Sequence, residues 1–205
     1  MNFLAHLALA GPQDASRIGN ILGDFEKGTP ESIRQRLPSA VVDGIIMHRH
    51  IDRFTDDHTA FHASKALLAP HRRRFAGIIV DIFFDHFLSK HWQQFHPKTV
   101  PEFIAEIYQL FEQHPNWLGS NFGPLVPRLQ SENWLLAYGT TEGLAATLSR
   151  ISQRSPKLSP LKEGIEDLQL HYQGFEQNFQ SFYPEVRQYA THLLGKNSLQ
   201  TPAFP

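Results

Sequence analysis

Residues 75–92, FAGIIVDIFFDHFLSKHW, decide the fold of this chain. At helical spacing their apolar side chains point in every direction, which is the pattern of a helix buried on all sides. Within the apolar run from Phe75 to Leu88 lie three polar residues, Asp81, Asp85 and His86. Asp81 and Asp85 are four residues apart and therefore share one helix face. Because a buried carboxylate is costly unless it is paired or metal-bound, these residues predict either a metal site or structural partners, such as an arginine for an aspartate.

Helical periodicity extends over nearly the whole chain of 205 residues. The sequence shows neither the alternation of apolar and polar residues that is typical of β-strands nor the turn residues of a β-hairpin. The length suits one domain. We therefore predict an all-α protein, a single-domain compact helical bundle over residues 1–194. A tail at 195–205 is predicted to be disordered.

Two more segments place polar pairs on apolar helices. VVDGIIMHRHIDRFTDDH, at 41–58, carries His48 and Asp52 four residues apart, and the N-terminal MNFLAHLALA carries Asn2 and His6 at the same spacing. Side chains at this spacing lie on one face, so each pair can reach one ion. An exposed histidine–aspartate pair also occurs by chance, which leaves a structural interpretation open.

A further pair, Asn20 and Asp24, lies in the stretch GNILGDF at 19–25. Gly19 directly precedes Asn20, and Gly23 directly precedes Asp24. Glycine inside a helix is unfavourable by roughly 1 kcal/mol, so these glycines indicate close packing or the approach of a ligand. The pair could equally serve capping or packing.

Convergence of these segments on one site is the economical interpretation. Several ionised carboxylates share a small buried volume only when cations compensate them, so we predict a metal site with one or two ions. The chain has no cysteine, which excludes thiolate ligands, disulfides and a cysteine nucleophile. Ligands would be nitrogen and oxygen atoms, which suit Mn²⁺, Mg²⁺, Fe²⁺ or Zn²⁺.

Charge and hydropathy exclude other classes of protein. The net charge is −1 and the pI is about 6.9, which argues against a general nucleic-acid binder. No window approaches the 18 apolar residues of a membrane span, and the N-terminus lacks the basic region of a signal peptide. We expect a cytoplasmic protein that binds neither nucleic acid nor membrane. The sequence does not indicate its oligomeric state.

The chain resembles the acyl carrier protein phosphodiesterase family, also called acyl carrier protein hydrolyase. The resemblance covers nearly the whole chain in the same order, and its first four blocks are the specific ones. The blocks are MNFLAHLALA (1–10), GNILGDF (19–25), GIIMHRHID (44–52), VDIFFDHFLSKHW (80–92), SENWLLAYG (131–139), SRISQRSPKL (149–158) and DLQLHYQGFEQNFQSFYPE (167–185).

The resemblance implies that the protein removes 4′-phosphopantetheine from holo acyl carrier protein and returns the apo form. It also implies an HD-domain-like helical fold, related to the HD phosphatase/phosphodiesterase superfamily, with a divalent metal that is typically Mn²⁺. The sequence departs from the H…HD…D order of that superfamily, because its adjacent acidic and histidine pair is reversed in Asp85-His86.

Under this hypothesis the site residues are metal ligands, catalytic residues and residues that dock the carrier protein. The metal ligands are predicted to be His6, Asp24, His48, Asp52, Asp81, Asp85 and His86, with Asp81 either a ligand or a partner that orients a histidine. The catalytic residues are predicted to be Asp24, His48, Asp52, Asp85, His86 and Arg49. Arg49 would bind the phosphate through two hydrogen bonds, and His86 or His62 would protonate the leaving serine oxygen.

Docking of an acidic carrier protein should use a basic surface. We predict that Arg72, Arg73, Arg74 and Lys27 form it, with Arg34 and Arg36 beside Lys27, although these could be solvated charges alone. Trp117, Phe122 and Trp134 would line a channel for the pantetheine arm, or belong to the core.

Two other functions fit the same sequence. A metal-dependent phosphohydrolase acting on a nucleotide or another small phosphate ester would use the same site but no carrier docking surface. A non-catalytic helical binding module would contain the buried polar pairs as structural features and bind no metal.

Overall fold

A computed structural model describes residues 1–198 of the protein, and this part of the chain is all-helical with no β-strand. The all-α prediction is confirmed. The α-helices are α1 (Phe3–Leu9), α2 (Asp14–Leu22), α3 (Pro30–Arg34), α4 (Ser39–Asp57), α5 (Thr59–Leu67), α6 (Ala76–Lys90), α7 (Val100–Gln113), α8 (Gly119–Phe122), α9 (Val126–Ser131), α10 (Thr141–Ser152) and α11 (Gly164–Ser198), the last kinked at His171. Short 3-10 turns cover Pro70–Phe75, Trp92–Gln94, Pro115–Trp117, Gly123–Leu125, Leu136–Gly139 and Pro156–Glu163.

Helix α6 lies at the centre of the bundle, as its apolar composition predicts. Its side chains contact α1, α5, α10 and α11, and Asp85 and His86 are buried together with their apolar neighbours. Ile78 is the exception, since 39% of this residue is exposed. A helix surrounded by protein in this way fixes the positions of the elements around it.

Phenylalanine rings join α6 to the long helix α11. Phe83 packs edge-on against Phe175 with ring centroids 5.0 Å apart, and Phe84 lies 5.2 Å from Phe182. All four residues are fully buried. Aromatic pairs of this geometry stabilise a core by roughly 0.5–1.5 kcal/mol each beyond the area that they bury.

Helices α2 and α4 approach each other closely because glycines face the contact. A Cβ atom on Gly19 would lie 2.1 Å from the carbonyl oxygen of Val41, and one on Gly44 would lie 2.8 Å from that of Ser16. Only residues without a side chain permit this distance between backbones. The close-packing interpretation of Gly19 is thus supported, and the contact brings the end of α2 beside the middle of α4.

The end of the chain differs in part from the predicted tail. Helix α11 extends to Ser198, so residues 195–198 are helical. The rest of the predicted disordered tail, 199–205, lies outside the described residues. Among residues 1–198, no helix combines the length and hydrophobicity that crossing a bilayer requires.

Candidate metal centre and its cavity

Two histidines and an aspartate converge where α1 meets α4. His48 and Asp52 lie one turn apart on α4, and the Nε2 atom of His48 is 3.0 Å from Oδ2 of Asp52. The Nε2 atom of His6, on α1, is 3.0 Å from Oδ1 of the same carboxylate. One ligand atom from each of the three residues lies within 4.8 Å of the others. We call these three residues the metal cluster.

Asp24 adds a second carboxylate at the edge of the cluster. Its Oδ1 atom lies 3.5 Å from Nε2 of His48, and its side chain is about half exposed at 49%. Asp24 follows the end of α2, so the close contact of α2 with α4 carries it to this position. The structure therefore unites His6, Asp24, His48 and Asp52 from three sequence blocks.

The backbone of α2 sets the orientation of His48. Its Nδ1–H donates to the carbonyl oxygen of Asn20 at 2.6 Å, which leaves Nε2 facing the carboxylates. The rings of His6 and His48 stack with centroids 3.8 Å apart. A histidine that donates one nitrogen to a carbonyl and presents the other is typical of metal ligands. The predicted pair of Asn20 and Asp24 thus contributes one backbone and one side-chain group.

Electrostatic coupling within the cluster is strong. Burial by itself would lower the pKa of His48, but its hydrogen bonds to Asp24 and Asp52 outweigh burial and raise the pKa to about 9. Burial and the neighbouring His48 lower the pKa of His6 to about 4. Burial would raise the pKa of Asp52, but hydrogen bonds from His48 and His6 hold it well below its usual range.

The chemistry of the donor set fits a divalent ion. Two imidazole nitrogens and carboxylate oxygens point at one another, and both histidines are almost fully buried. When the imidazoles are neutral, the lone pairs of Nε2 face negatively charged oxygens, an arrangement that a cation between them stabilises. The cluster is therefore a candidate site for a divalent metal.

Gly23 provides the space that His48 occupies. A Cβ atom at this position would lie 2.1 Å from Cγ of the His48 ring. We expect Gly23→Ala to displace that ring and to weaken metal binding roughly 10- to 100-fold, the range seen when ligand orientation is lost, as measured by metal titration. Gly77→Ala is the matched control, because nothing lies within 4 Å of its added Cβ. Equal metal affinity in the two variants would contradict this assignment.

Asp81 lines the cavity that opens beside the metal cluster, but its carboxylate pairs with the N-terminal amine. The α-amino nitrogen of Met1 lies 2.7 Å from Oδ1 of Asp81 and 3.9 Å from Oδ1 of Asp52. Interaction with these carboxylates overcomes burial, which by itself would lower the pKa of the amine, and raises that pKa to about 10. Asp81 therefore borders the metal cluster through the amine, and the structure gives it no direct contact with either histidine.

Asp85, predicted as a metal ligand, lies outside the metal cluster and contacts the backbone at the start of α1. Its carboxylate accepts hydrogen bonds from the backbone N–H groups of Asn2, Leu4 and Ala5 at 3.2, 2.8 and 3.3 Å. It thereby satisfies the free N–H groups at the start of α1. Burial raises the pKa of Asp85 to about 7. The aspartate holds the helix that carries His6, so its effect on the cluster is indirect.

The structure does not bring His86, predicted as a ligand and general acid, into the metal cluster. Its two ring nitrogens already have partners, the carbonyl oxygen of Tyr138 at 2.8 Å and the hydroxyl of Tyr172 at 3.0 Å. Burial lowers the pKa of His86, which favours the neutral ring. It is a hydrogen-bonded core histidine, the alternative that the sequence left open. His62, the other proposed acid, is exposed on α5 and does not line the cavity.

Two predicted arginine roles are corrected as well. Arg49 donates to the carbonyl oxygens of Gly28 and Glu26 at 3.1 and 3.0 Å, so it fixes the loop after α2 and does not line the cavity. Arg72 is 4% exposed, and its Nε and Nη2 atoms donate to Asp167 at 2.7 and 3.1 Å. A buried, bidentate arginine cannot contribute to a docking surface.

The remaining docking residues stay exposed. Arg73, Arg74 and Lys27 all lie on the surface. Of the two residues predicted beside Lys27, Arg34 pairs with Asp43 at 2.9 Å and Arg36 with Glu26 at 3.0 Å. These two charges are thus partly compensated within the protein.

A cavity of about 400 Å³ opens beside the metal cluster. Asp24, Asp52 and Asp81 line it together with Trp134, Arg150 and Arg154. Such a volume suits a small ligand or the arm of a larger one. Of the three predicted channel aromatics only Trp134 borders this cavity.

Trp117 and Phe122 lie elsewhere. Trp117 stacks on His114 with ring centroids 3.9 Å apart, and Phe122 is buried between Phe25 and Phe111. Both belong to the packing of the α7–α8 region.

Sequence reasoning missed Arg150 and Arg154. They lie four residues apart in the block SRISQRSPKL, at the end of α10 and just beyond it. Their spacing was the available signal, since residues four apart share a helix face. The surrounding helix carries no buried charge that would have drawn attention to them.

Comparison with known proteins assigns the chain to a family. The family model described as acyl carrier protein phosphodiesterase matches residues 1–186. Relatives named acyl carrier protein phosphodiesterase include one from Enterobacter sp. (strain 638), 39% identical over 91% of this chain and 95% of its own length. Another, from Yersinia pestis, is 36% identical over 94% of this chain and 98% of its own. No solved structure matches the chain significantly. The chain belongs to the acyl carrier protein phosphodiesterase family.

Proposed function

We propose that the protein hydrolyses the phosphodiester between 4′-phosphopantetheine and a serine of holo acyl carrier protein. Water adds to phosphorus, the bond from phosphorus to the serine oxygen breaks, and that oxygen takes up a proton. The products are apo acyl carrier protein and 4′-phosphopantetheine. The observation that supports this most directly is that the metal cluster of His6, His48 and Asp52 borders a cavity through Asp52. The chain's membership of the acyl carrier protein phosphodiesterase family supports the choice of substrate.

The ion that we propose for the cluster is Mn²⁺, with Mg²⁺, Fe²⁺ and Zn²⁺ as alternatives, because imidazole and carboxylate donors suit all four. His6, His48 and Asp52 would hold it, with Asp24 at the edge. A divalent ion at such a site polarises phosphoryl oxygens and lowers the pKa of water. The carbonyl of Asn20 keeps the Nε2 atom of His48 directed at the site.

Asp24 is the residue that we propose for proton transfer, in place of His86 and His62. Its carboxylate lines the cavity, is half exposed, and has one oxygen close to His48. Oδ2 of Asp24 can therefore accept a proton from the attacking water and release it towards the serine oxygen. General acid–base catalysis of this kind contributes roughly 10²- to 10⁴-fold.

The carrier protein is proposed to dock near Arg73, Arg74 and Lys27. The two arginines precede Ile78, and Lys27 follows Phe25; both Ile78 and Phe25 line the cavity. Exposed basic groups near the cavity suit an acidic partner whose prosthetic arm enters it.

Charge reversal tests this docking surface. We expect the double variant Arg73→Glu, Arg74→Glu to raise KM for holo carrier protein roughly tenfold, since each rim charge acts mainly on the association rate. Hydrolysis of bis(p-nitrophenyl) phosphate should not change. Arg187→Glu, an exposed change on α11 away from this cavity, is the control. An unchanged KM at low salt would reject the surface.

Mass spectrometry of holo carrier protein tests the function itself. Incubation with this protein and Mn²⁺ should convert the holo form into the apo form and release 4′-phosphopantetheine. Chelation of the metal should stop the conversion, and fresh Mn²⁺ should restore it. Holo carrier protein that stays intact with Mn²⁺, Mg²⁺, Fe²⁺ and Zn²⁺, while the folded protein binds metal, would reject the proposed reaction.

A further inference from the structure

Arg150 is held in the cavity by three neighbours. Its guanidinium carbon lies 4.2 Å from the centroid of the Trp134 ring, its Nη2 donates to Oγ1 of Thr147 at 3.3 Å, and its Nη1 lies 3.8 Å from Oε2 of Glu132. The indole N–H of Trp134 donates to the same Oε2 atom at 2.8 Å. Glu132 therefore positions both the ring and the cation above it.

This guanidinium nevertheless has unused donors. Arg150 is mostly buried, with 18% of its side chain exposed. Its Nε–H is buried, with no hydrogen-bond partner among the described residues. No ion pair in residues 1–198 joins Arg150 to Asp24, Asp52 or Asp81, although all of them line the same cavity. A buried donor without a partner is costly, and a ligand in the cavity can satisfy it.

The chemistry of this ligand follows from the donor. Guanidinium presents a planar fork that matches the oxygens of phosphate and binds them in pairs. The cavity thus borders the metal cluster through Asp52 and is also lined by a preorganised cation suited to an anion, Arg150. A phosphate ester is the ligand class that engages both at once.

We propose that Arg150 binds the phosphoryl group of the substrate, with Trp134 and Glu132 as positioning residues. The role in catalysis depends on the function proposed above, whereas binding of a phosphate group by Arg150 does not. The site gives specificity for a phosphorylated arm over an unphosphorylated one.

Calorimetry on the Mn²⁺-loaded protein tests binding, with inorganic phosphate and 4′-phosphopantetheine as the two probes. We expect Arg150→Gln to weaken both about 10- to 100-fold, which corresponds to the loss of charge-assisted hydrogen bonds. Its Mn²⁺ content should equal that of the native protein. Arg150→Lys keeps the positive charge but lacks the planar guanidinium fork. Its affinity for both probes should lie between those of the native protein and Arg150→Gln.

Arg128→Gln is the matched control. Arg128 also pairs with Glu132, at 2.6 Å, and lies 6.0 Å from the Trp134 ring, but its side chain is 60% exposed and does not line the cavity. This variant should bind both probes as the native protein does. Trp134→Phe removes the indole N–H that anchors Glu132 and should weaken phosphate binding less than Arg150→Gln.

The outcomes separate the two proposals. Folded Arg150→Gln or Arg150→Lys protein that binds both probes within twofold of the native protein would overturn the phosphate site. Native protein that binds phosphate through Arg150 but leaves holo carrier protein intact would retain the phosphate site and reject the proposed reaction.

Discussion

Replacing Asp52 with asparagine is expected to lower kcat roughly 10³-fold, the largest effect on activity of any single change. Asp52 contacts both histidines of the metal cluster, each at 3.0 Å. A bound ion contributes several kcal/mol of charge stabilisation, and each 1.36 kcal/mol corresponds to a tenfold change in rate. The amide lacks the negative charge and places an N–H₂ group near one histidine, so metal binding should fail.

Two measurements check this prediction. Elemental analysis after dialysis should find metal in the native protein and little in Asp52→Asn, and product formation from holo carrier protein should fall in parallel. Asp57→Asn is the control, because Asp57 ends the same helix, is exposed and does not line the cavity. Asp52→Asn protein that keeps more than a tenth of the native kcat would show that the cluster is not the catalytic metal site.

Removing the Asp85 carboxylate is expected to cause the largest loss of stability. Asp85→Ala leaves the backbone N–H groups of Leu4 and Ala5, which are fully buried, and that of Asn2, which is partly buried, without their acceptor. Each unsatisfied group costs about 1–3 kcal/mol. The total should therefore reach at least about 3 kcal/mol and lower Tm by roughly 6–12 °C in a protein of this size.

Comparison with milder variants separates a helix cap from a metal ligand. Asp85→Asn keeps one carbonyl acceptor and should lower Tm about half as much, while the folded variant still binds metal. Ile82→Val removes one methylene from the same helix and should cost about 1 kcal/mol. Should Asp85→Asn keep the native Tm but lose its metal, the sequence-based assignment of Asp85 as a ligand would be right after all.

The polar pairs on apolar helices predict part of the candidate metal site. His48 and Asp52 meet because a spacing of four residues on one helix leaves little freedom. His6 and Asp24 belong to the predicted set of metal ligands because they too lie among apolar neighbours, and a buried polar group needs a partner. The glycines at 19 and 23 likewise indicate close approach, and the structure agrees, since a Cβ at either position would collide with α4.

Burial of a polar group does not identify its partner, and here the sequence reached its limit. Asp85 and His86 are adjacent on one buried helix, yet Asp85 accepts from the start of α1 and His86 donates to the carbonyl of Tyr138. Both partners are backbone groups, which nearly every residue carries. Residue types in the sequence therefore do not predict which backbone group a buried side chain will contact. Arg72 and Arg73 show the same limit. Arg72 is buried in an ion pair with Asp167, whereas its neighbour Arg73 is exposed, and only the packing of α11 decides between them.

The sequence by itself determined that the chain is helical, that α6 is central, and that the His48–Asp52 pair shares a face with an apolar stripe. Tertiary structure decided which polar residues form the metal cluster and which ones support the backbone. It also brought Arg150 into the same cavity as Asp52, which lies 98 positions earlier in the chain. Local periodicity determines on which face of its helix a side chain lies. The group that this side chain contacts depends on how helices distant in the sequence pack together.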